Sequence, residues 1–114
     1  MSLPGPHDLC AATDIAEGAA RAFSITSGGV QQELFIVRRG ENFYAYLNRC
    51  PHTGVTLNWQ PDQFLDLTGT VIQCSTHGAR FRIEDGFCTH GPCAGAFLTA
   101  LNLTLEQGRI TVKA

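Results

Sequence analysis

Hydrophobic residues fall in short runs along this chain, and turn-forming residues separate the runs. The apolar run Leu34-Phe35-Ile36-Val37 is consistent with a buried strand and lies within a candidate strand from Gln32 to Arg38. After the turn residues Arg39-Gly40-Glu41-Asn42, the aromatic-rich segment Phe43 to Leu47 runs back. β-branched and aromatic residues favour extended backbone, so these two segments are predicted to pair as a β-hairpin.

The same pattern continues on both sides of this hairpin. The further candidate strands are Ala19 to Thr26, Thr70 to Gln73, Arg80 to Ile83, Gly86 to Cys88, Phe97 to Leu105 and Arg109 to Lys113. The third and fourth of these are predicted to form a second hairpin, and the last two a C-terminal one. Met1 to His7 is expected to be a loose terminus, and Asp8 to Gly18 a transition segment. Many short strands at close spacing indicate an all-β protein.

Composition and charge narrow the class of protein. The 114 residues suit one domain, 1–114, and the 44% hydrophobic and 16% charged content is that of an ordinary globular chain. A formal charge of −2 gives no electrostatic reason to expect nucleic acid or an anionic membrane as a partner. No apolar run approaches the roughly 20 residues of a membrane span, and Met1 to Pro6 lacks the features of a signal peptide. We therefore expect a cytoplasmic protein.

Two short boxes carry the candidate chemistry. They are Cys50-Pro51-His52-Thr53-Gly54 and Cys74-Ser75-Thr76-His77-Gly78, and each supplies one thiol and one imidazole. Thiolate is a soft donor suited to iron–sulfur centres, and neutral imidazole also binds iron. Because the spacing within each box is short, one loop can present both donors. The boxes therefore predict a metal site made by two loops.

The chain resembles Rieske 2Fe-2S proteins, and the small soluble Rieske-type ferredoxins in particular. Besides the two boxes, the resemblance includes Gly78-Ala79-Arg80-Phe81, the hairpin turn Asp85-Gly86 and the later Gly91-Pro92. It extends from about Leu9 to Val112. In a Rieske centre two cysteines hold one iron and two histidines hold the other.

The resemblance implies a Rieske-like fold of antiparallel sheets, in which residues 49–95 or so form a small cluster-binding subdomain. It implies one 2Fe-2S cluster per chain, held by Cys50, His52, Cys74 and His77, and no catalytic residues. The expected function is one-electron transfer from a flavoprotein reductase to a terminal oxygenase or a similar enzyme.

The resemblance also suggests where the redox potential lies. High-potential Rieske proteins have a Ser and a Tyr, whose hydroxyls hydrogen-bond to the cluster, at the positions of Ala79 and Phe81. They also have a disulfide between the boxes, for which this chain has Gly54 or Val55 and Thr76. Neither Ala79 nor Phe81 can donate a side-chain hydrogen bond, so we expect a potential near the low end of the Rieske range.

Other interpretations remain open on the sequence alone. The four predicted ligands could form a structural zinc site, although the Gly-Pro loop would then be unexplained. The chain could be a permanent electron-transfer subunit of a reductase or oxygenase. It could also be a redox- or metal-sensing interaction module, for which Cys88 and Cys93 are the support. The default for Cys10, Cys88 and Cys93 is buried free thiols, and for His90 a solvated loop side chain.

Overall fold

A computed structural model describes residues 7–27, 29–51, 56–58, 62–75 and 78–113. These residues form three antiparallel sheets of three strands each, and no α-helix occurs among them. The strands are β1 (His7–Ala11), β2 (Ala20–Ser27), β3 (Val30–Arg39), β4 (Asn42–Leu47), β5 (Val71–Gln73), β6 (Arg80–Arg82), β7 (Cys88–His90), β8 (Asn102–Glu106) and β9 (Arg109–Lys113). A short 3-10 helix, Ala12–Asp14, follows β1. The predicted all-β antiparallel class is confirmed.

The central sheet has the order β2-β3-β4 and contains the predicted first hairpin. Its strand β3 is buried on both faces. Leu34 and Ile36 point into one hydrophobic core, while Phe35 and Val37 point into another. Because successive side chains of a strand alternate between faces, a four-residue apolar run in this antiparallel sheet separates two cores.

The central sheet has one hydrophobic core on each face, called the base core and the ligand core. The base core lies against the sheet β1-β9-β8, and the ligand core lies against the sheet β5-β6-β7. Buried members of the base core are Cys10, Ile15, Ile25, Leu34, Ile36, Ala45, Leu47, Leu101, Ile110 and Val112. Buried members of the ligand core are Phe35, Val37, Tyr46, Cys50, Leu57, Phe64, Ile72, Cys74, Ala79, Phe81, Ile83, Cys88, Cys93 and Leu98.

Strand β1 lies where a loose terminus up to His7 and a transition segment from Asp8 were expected, and it corrects that prediction. His7–Ala11 pairs with β9, and the register shifts between Asp8 and Cys10. Only Cys10 of the five residues is buried, so the segment lacks the alternation that reveals a half-buried strand. The pairing depends on β9, about a hundred residues away in the sequence.

The strand predicted from Phe97 to Leu105 is also shorter than expected, since β8 begins only at Asn102. Before that point the chain makes isolated bridges, from Phe97 to Phe87 and from Ala100 to Tyr46. This segment crosses from the ligand-core side to the central sheet, so it cannot stay paired with one neighbour. The C-terminal hairpin itself, β8 with β9, is confirmed.

The second predicted hairpin is present, but its returning strand is displaced. It was expected over Gly86 to Cys88, and β7 instead spans Cys88–His90. Gly86 N–H donates to the Arg82 carbonyl, and Phe87 N–H donates to Asp85 Oδ1 at 2.9 Å. These bonds extend the turn through Gly86, so regular pairing with β6 starts later.

Candidate metal centre

The first predicted ligand loop leaves the central sheet at the end of β4. Asn48 precedes Cys50 and is only 7% exposed. Its backbone N–H donates to the Glu33 carbonyl at 2.9 Å, and its side-chain Oδ1 accepts from Leu57 N–H at 2.7 Å. Its Nδ2 donates to Asn58 Oδ1 at 2.8 Å. Asn48 therefore ties both ends of the loop that carries Cys50 to the central sheet.

The second predicted ligand loop follows β5. Cys74 N–H donates to the Ala79 carbonyl, and Gly78 N–H donates back to the Cys74 carbonyl, both at 2.8 Å. Gly78 has a φ of 68°, a left-handed conformation that favours glycine at this tight turn. Ser75 N–H donates to the Leu57 carbonyl at 2.8 Å, so the two loops are joined by a direct hydrogen bond.

The structure places two of the four predicted ligands. Cys50 and Cys74 are 1% and 0% exposed, neither is in a disulfide, and both belong to the ligand core. His52 and His77 lie outside the described residues, as do Gly54, Val55 and Thr76. Within the described ranges, no group of three or more His, Cys, Asp or Glu side chains could hold a metal ion.

The placed cysteines fit an iron–sulfur centre of mixed ligation. Such a centre needs two thiolates from the protein beside its imidazole ligands. Cys50 and Cys74 supply buried sulfurs, neither of them in a disulfide, from two loops that are hydrogen-bonded to each other.

A third loop, Gly91–Gly95, lies over the second ligand loop and is called here the covering loop. Gly91 has a φ of 101°, and a Cβ atom at this residue would lie 2.8 Å from the Cα of Ala79. Only glycine permits this close approach. Ala79 and Phe81 are fully buried, and neither side chain can donate a hydrogen bond. This is consistent with the low potential expected from the sequence.

The remaining candidate residues take the places expected of them. Cys10 is a buried free thiol in the base core, and Cys88 and Cys93 are buried free thiols in the ligand core. His90 is exposed, with its Nδ1 2.9 Å from Thr89 Oγ1. The prediction of buried thiols and a solvated His90 is confirmed for these residues.

Sequence reasoning missed the role of Asn48, whose hydrogen bonds reach Leu57 and Asn58. It singled out Cys93 with Cys88 but did not predict that Cys93 neighbours Cys50. Burial raises the pKa of the Cys93 thiol to about 12, and hydrogen bonding to Cys88 and to Cys50 adds to the rise. Asparagine is common in turns, and C-x4-C spacing does not show which residues a thiol meets, so neither feature had a distinctive local signal.

Comparison with known proteins agrees with this arrangement. The family model of the Rieske [2Fe-2S] domain matches residues 5–107. The ferredoxin component of the p-cumate 2,3-dioxygenase system of Pseudomonas putida is 34% identical over 91% of this chain and 81% of its own length. Ferredoxin CarAc of Metapseudomonas resinovorans is 29% identical over 91% of this chain and 89% of its own length.

A solved structure shares the fold. It is a complex of reduced oxygenase and oxidised ferredoxin in carbazole 1,9a-dioxygenase, and the similar chain has a TM-score of 0.73 at 29% identity. The match covers 94% of this chain and 91% of that one. Both curated relatives are ferredoxins, which carry electrons rather than catalyse a reaction. The chain therefore belongs to the Rieske [2Fe-2S] domain family and is an electron carrier with a Rieske-type 2Fe-2S cluster.

Proposed function

We propose that this chain is the diffusible ferredoxin of an oxygenase system. It takes one electron at a time from a flavoprotein reductase and passes it to a terminal oxygenase or a similar enzyme. The observation that carries the proposal is the 34% identity, over 91% of the chain, to a protein named as the ferredoxin component of a dioxygenase system. The match also covers 89% and 81% of two relatives that are both named as ferredoxins.

The proposed ligand set is Cys50 and Cys74 on one iron and His52 and His77 on the other. The burial of both cysteines and the hydrogen bond between their loops support the thiolate half of this set. The imidazole half rests on the spacing of the two boxes. The bound cluster supplies a reversible one-electron couple at a potential above that of all-cysteine clusters, because neutral imidazoles replace two thiolates.

The rest of the chain holds this site in place. Asn48 fixes the first loop, Gly78 and Ala79 fix the turn of the second, and Gly91 brings the covering loop against Ala79. We propose that residues 49–95 or so act as the cluster-binding subdomain of one domain spanning 1–114.

We propose a cytoplasmic location. None of the five cysteines is in a disulfide, which suits a reducing compartment. Among the residues that the structure describes, no helix is long and apolar enough to cross a membrane.

Two rival functions keep the same fold. A permanent subunit of a reductase or oxygenase complex would be needed in an amount equal to that of the enzyme it serves. A redox-sensing module would depend on Cys88 and Cys93 rather than on electron flow. A structural zinc site is disfavoured, since the family is defined by a 2Fe-2S centre.

The test reconstitutes the electron-transfer chain from NADH, the flavoprotein reductase and the terminal oxygenase of the p-cumate 2,3-dioxygenase system. This chain is added at one tenth of the oxygenase concentration, and product formation is measured. A diffusible carrier turns over many times, so product should exceed the amount of the chain severalfold. Cys74→Ser should abolish transfer because it removes a ligand. Cys10→Ser is the matched control, since it changes a buried cysteine of the base core, and it should carry electrons like the wild type.

Product that never exceeds one equivalent of the chain would favour a permanent subunit. No transfer to oxygenase by a cluster-loaded chain that the reductase does reduce would overturn the proposed acceptor. Transfer by Cys74→Ser at the wild-type rate would overturn the proposed ligand set.

A further inference from the structure

Two cysteines outside the predicted ligand set face each other in the ligand core. Cys88 is the first residue of β7, and Cys93 lies in the covering loop. Their Sγ atoms are 3.1 Å apart, closer than ordinary contact between two sulfur atoms. The Cys88 thiol also lies 3.2 Å from the His90 carbonyl, to which it can donate. Cys88 is fully buried and Cys93 is 7% exposed.

The backbone holds the two residues at this distance. Cys88 N–H donates to the Ala96 carbonyl at 2.8 Å, and Gly95 N–H donates to the Cys88 carbonyl at 3.0 Å. Ala96 N–H in turn donates to the Cys93 carbonyl at 2.9 Å. Gly95, at the end of the covering loop, and Ala96 after it are therefore both hydrogen-bonded to Cys88. The S–S bond of a disulfide is about 2.05 Å long. The two Sγ atoms, now 3.1 Å apart, would therefore need to approach by only about 1 Å to form it.

The pair also borders the predicted cluster site. Cys93 is a hydrogen-bonding neighbour of Cys50, and both residues belong to the ligand core. An ordinary cysteine thiol carries its proton at neutral pH, so an S–H group lies beside a predicted ligand sulfur. Cys50, Cys88 and Cys93 all belong to the ligand core, and Cys93 neighbours both of the others.

We propose that Cys88 and Cys93 are a dithiol that closes reversibly into a disulfide, and that its closure lowers the reduction potential of the cluster. The second half of this proposal rests on the proposed cluster site, while the first half does not. Closure removes the Cys93 S–H from beside Cys50. A donor to a ligand sulfur stabilises the more negative, reduced state, so its loss favours the oxidised state. The carrier would then become a weaker electron acceptor under oxidising conditions.

The oxidant is a low-molecular-weight disulfide of the glutathione type. One protein thiolate attacks a sulfur of the small disulfide, whose S–S bond breaks and releases one small thiol. The second protein thiolate then attacks the mixed disulfide, forming the Cys88–Cys93 bond and releasing the second small thiol. Two electrons pass from the protein sulfurs to the oxidant, and both thiol protons end on the two small thiols.

Access to the pair is through the covering loop. Gly91, Pro92, Ala94 and Gly95 are exposed, whereas both sulfurs lie beneath them. Exchange therefore requires this loop to open, so oxidation should be slow compared with that of a surface thiol.

The experiment incubates the cluster-loaded protein in buffers of increasing oxidised to reduced glutathione ratio. The samples are denatured in an alkylating reagent and analysed by intact mass and peptide mapping. Wild type should lose two alkylatable thiols in one transition and yield a cross-linked Cys88–Cys93 peptide, while Cys10 stays alkylatable. Cys10→Ala should behave like wild type, and Cys93→Ala should show no cross-link.

A pair that stays reduced in fully oxidised glutathione would overturn the disulfide, as would accumulation of a stable glutathione adduct on one cysteine. This result comes from the wild-type chain, so it does not depend on whether the variants fold.

The second readout is the midpoint potential of the same samples. Wild type should shift to lower potential as the pair closes. Cys93→Ala should have a low potential at every glutathione ratio. A cross-link without a shift would overturn the link to the cluster and leave the disulfide standing. A cross-link in a protein that binds no cluster would instead contradict the proposed function.

Discussion

At the scale of single residues, the site is defined as much by missing donors as by ligands. Ala79 follows the second box directly, and Phe81 lies two residues later, both fully buried. Neither side chain can hydrogen-bond to a sulfur, so the reduced state lacks stabilisation that a hydroxyl would supply. These two positions are the reason to expect a low potential within the Rieske range.

Replacing Ala79 with serine should raise the midpoint potential. If the added hydroxyl makes a hydrogen bond that is about 1 kcal/mol stronger in the reduced state, the rise is about 40 mV. The measurement is a redox titration followed by visible absorbance. Ala45→Ser is the matched control, because it adds a hydroxyl to a buried alanine of the base core. An unchanged or lower potential in Ala79→Ser would remove the proposed role of this position.

The sequence predicts a residue's role only where that role depends on neighbours close to it in the chain. The Cys-x-His and Cys-x-x-His boxes are local patterns, so the sequence alone predicts a ligand set, of which the structure describes Cys50 and Cys74. The role of Asn48 could not be predicted in this way, because its hydrogen-bond partners Leu57 and Asn58 lie 9 and 10 residues further along the chain. The approach of Cys93 to Cys50 likewise joins residues far apart in the sequence.

At the scale of elements, three loops of different origin meet at the site. The first leaves β4, the second leaves β5, and the covering loop follows β7. The covering loop approaches the second loop at Gly91, where a Cβ atom would meet the Ala79 backbone at 2.8 Å. We infer that this contact keeps the covering loop closed over the cluster.

Gly91→Ala should therefore speed the loss of the cluster. Gly95→Ala in the same loop is a matched control, because Gly95 also has a positive φ, of 93°, but a Cβ atom there meets nothing within 4 Å. Both variants carry backbone strain of about 1–2 kcal/mol, and only Gly91→Ala adds the clash. The measurement is the decay of visible absorbance in the presence of an iron chelator. Equal decay rates in the two variants would show that the close approach does not matter.

Element types followed from the sequence better than element bounds. The run Leu34 to Val37 and the aromatic segment after it predicted the β3–β4 hairpin, since both signals are local. Strand β1 was missed because a single buried residue, Cys10, gives no periodicity. The late start of β8 at Asn102 reflects a crossing between sheets that no local pattern shows.

At the scale of the whole molecule, the central sheet separates a base core from a ligand core. Of the predicted ligands that the structure describes, Cys50 and Cys74 both belong to the ligand core and neither belongs to the base core. Tyr46 of β4 links the central sheet to the ligand side, since its hydroxyl donates to the Ile83 carbonyl at 2.5 Å. Burial raises the pKa of the Tyr46 phenol well above its usual range, so the hydroxyl stays protonated and can donate.

Tyr46→Phe should destabilise the protein by about 1–3 kcal/mol, because the buried Ile83 carbonyl loses its partner. The measurement is the free energy of unfolding from denaturant titration. Tyr44→Phe, at a partly exposed position of the same strand, should change this free energy by less than about 0.5 kcal/mol. Equal effects of the two substitutions would contradict the structural role of the Tyr46 hydroxyl.

The central claim is that the two boxes hold a Rieske-type cluster, and a redox titration of the purified protein followed by visible absorbance tests it most directly. We predict a reversible one-electron transition between about −150 and 0 mV, in the lower part of the Rieske range. A colourless protein without any transition would contradict the cluster. A transition near −400 mV would contradict the imidazole ligands, because that potential is typical of all-cysteine plant-type clusters.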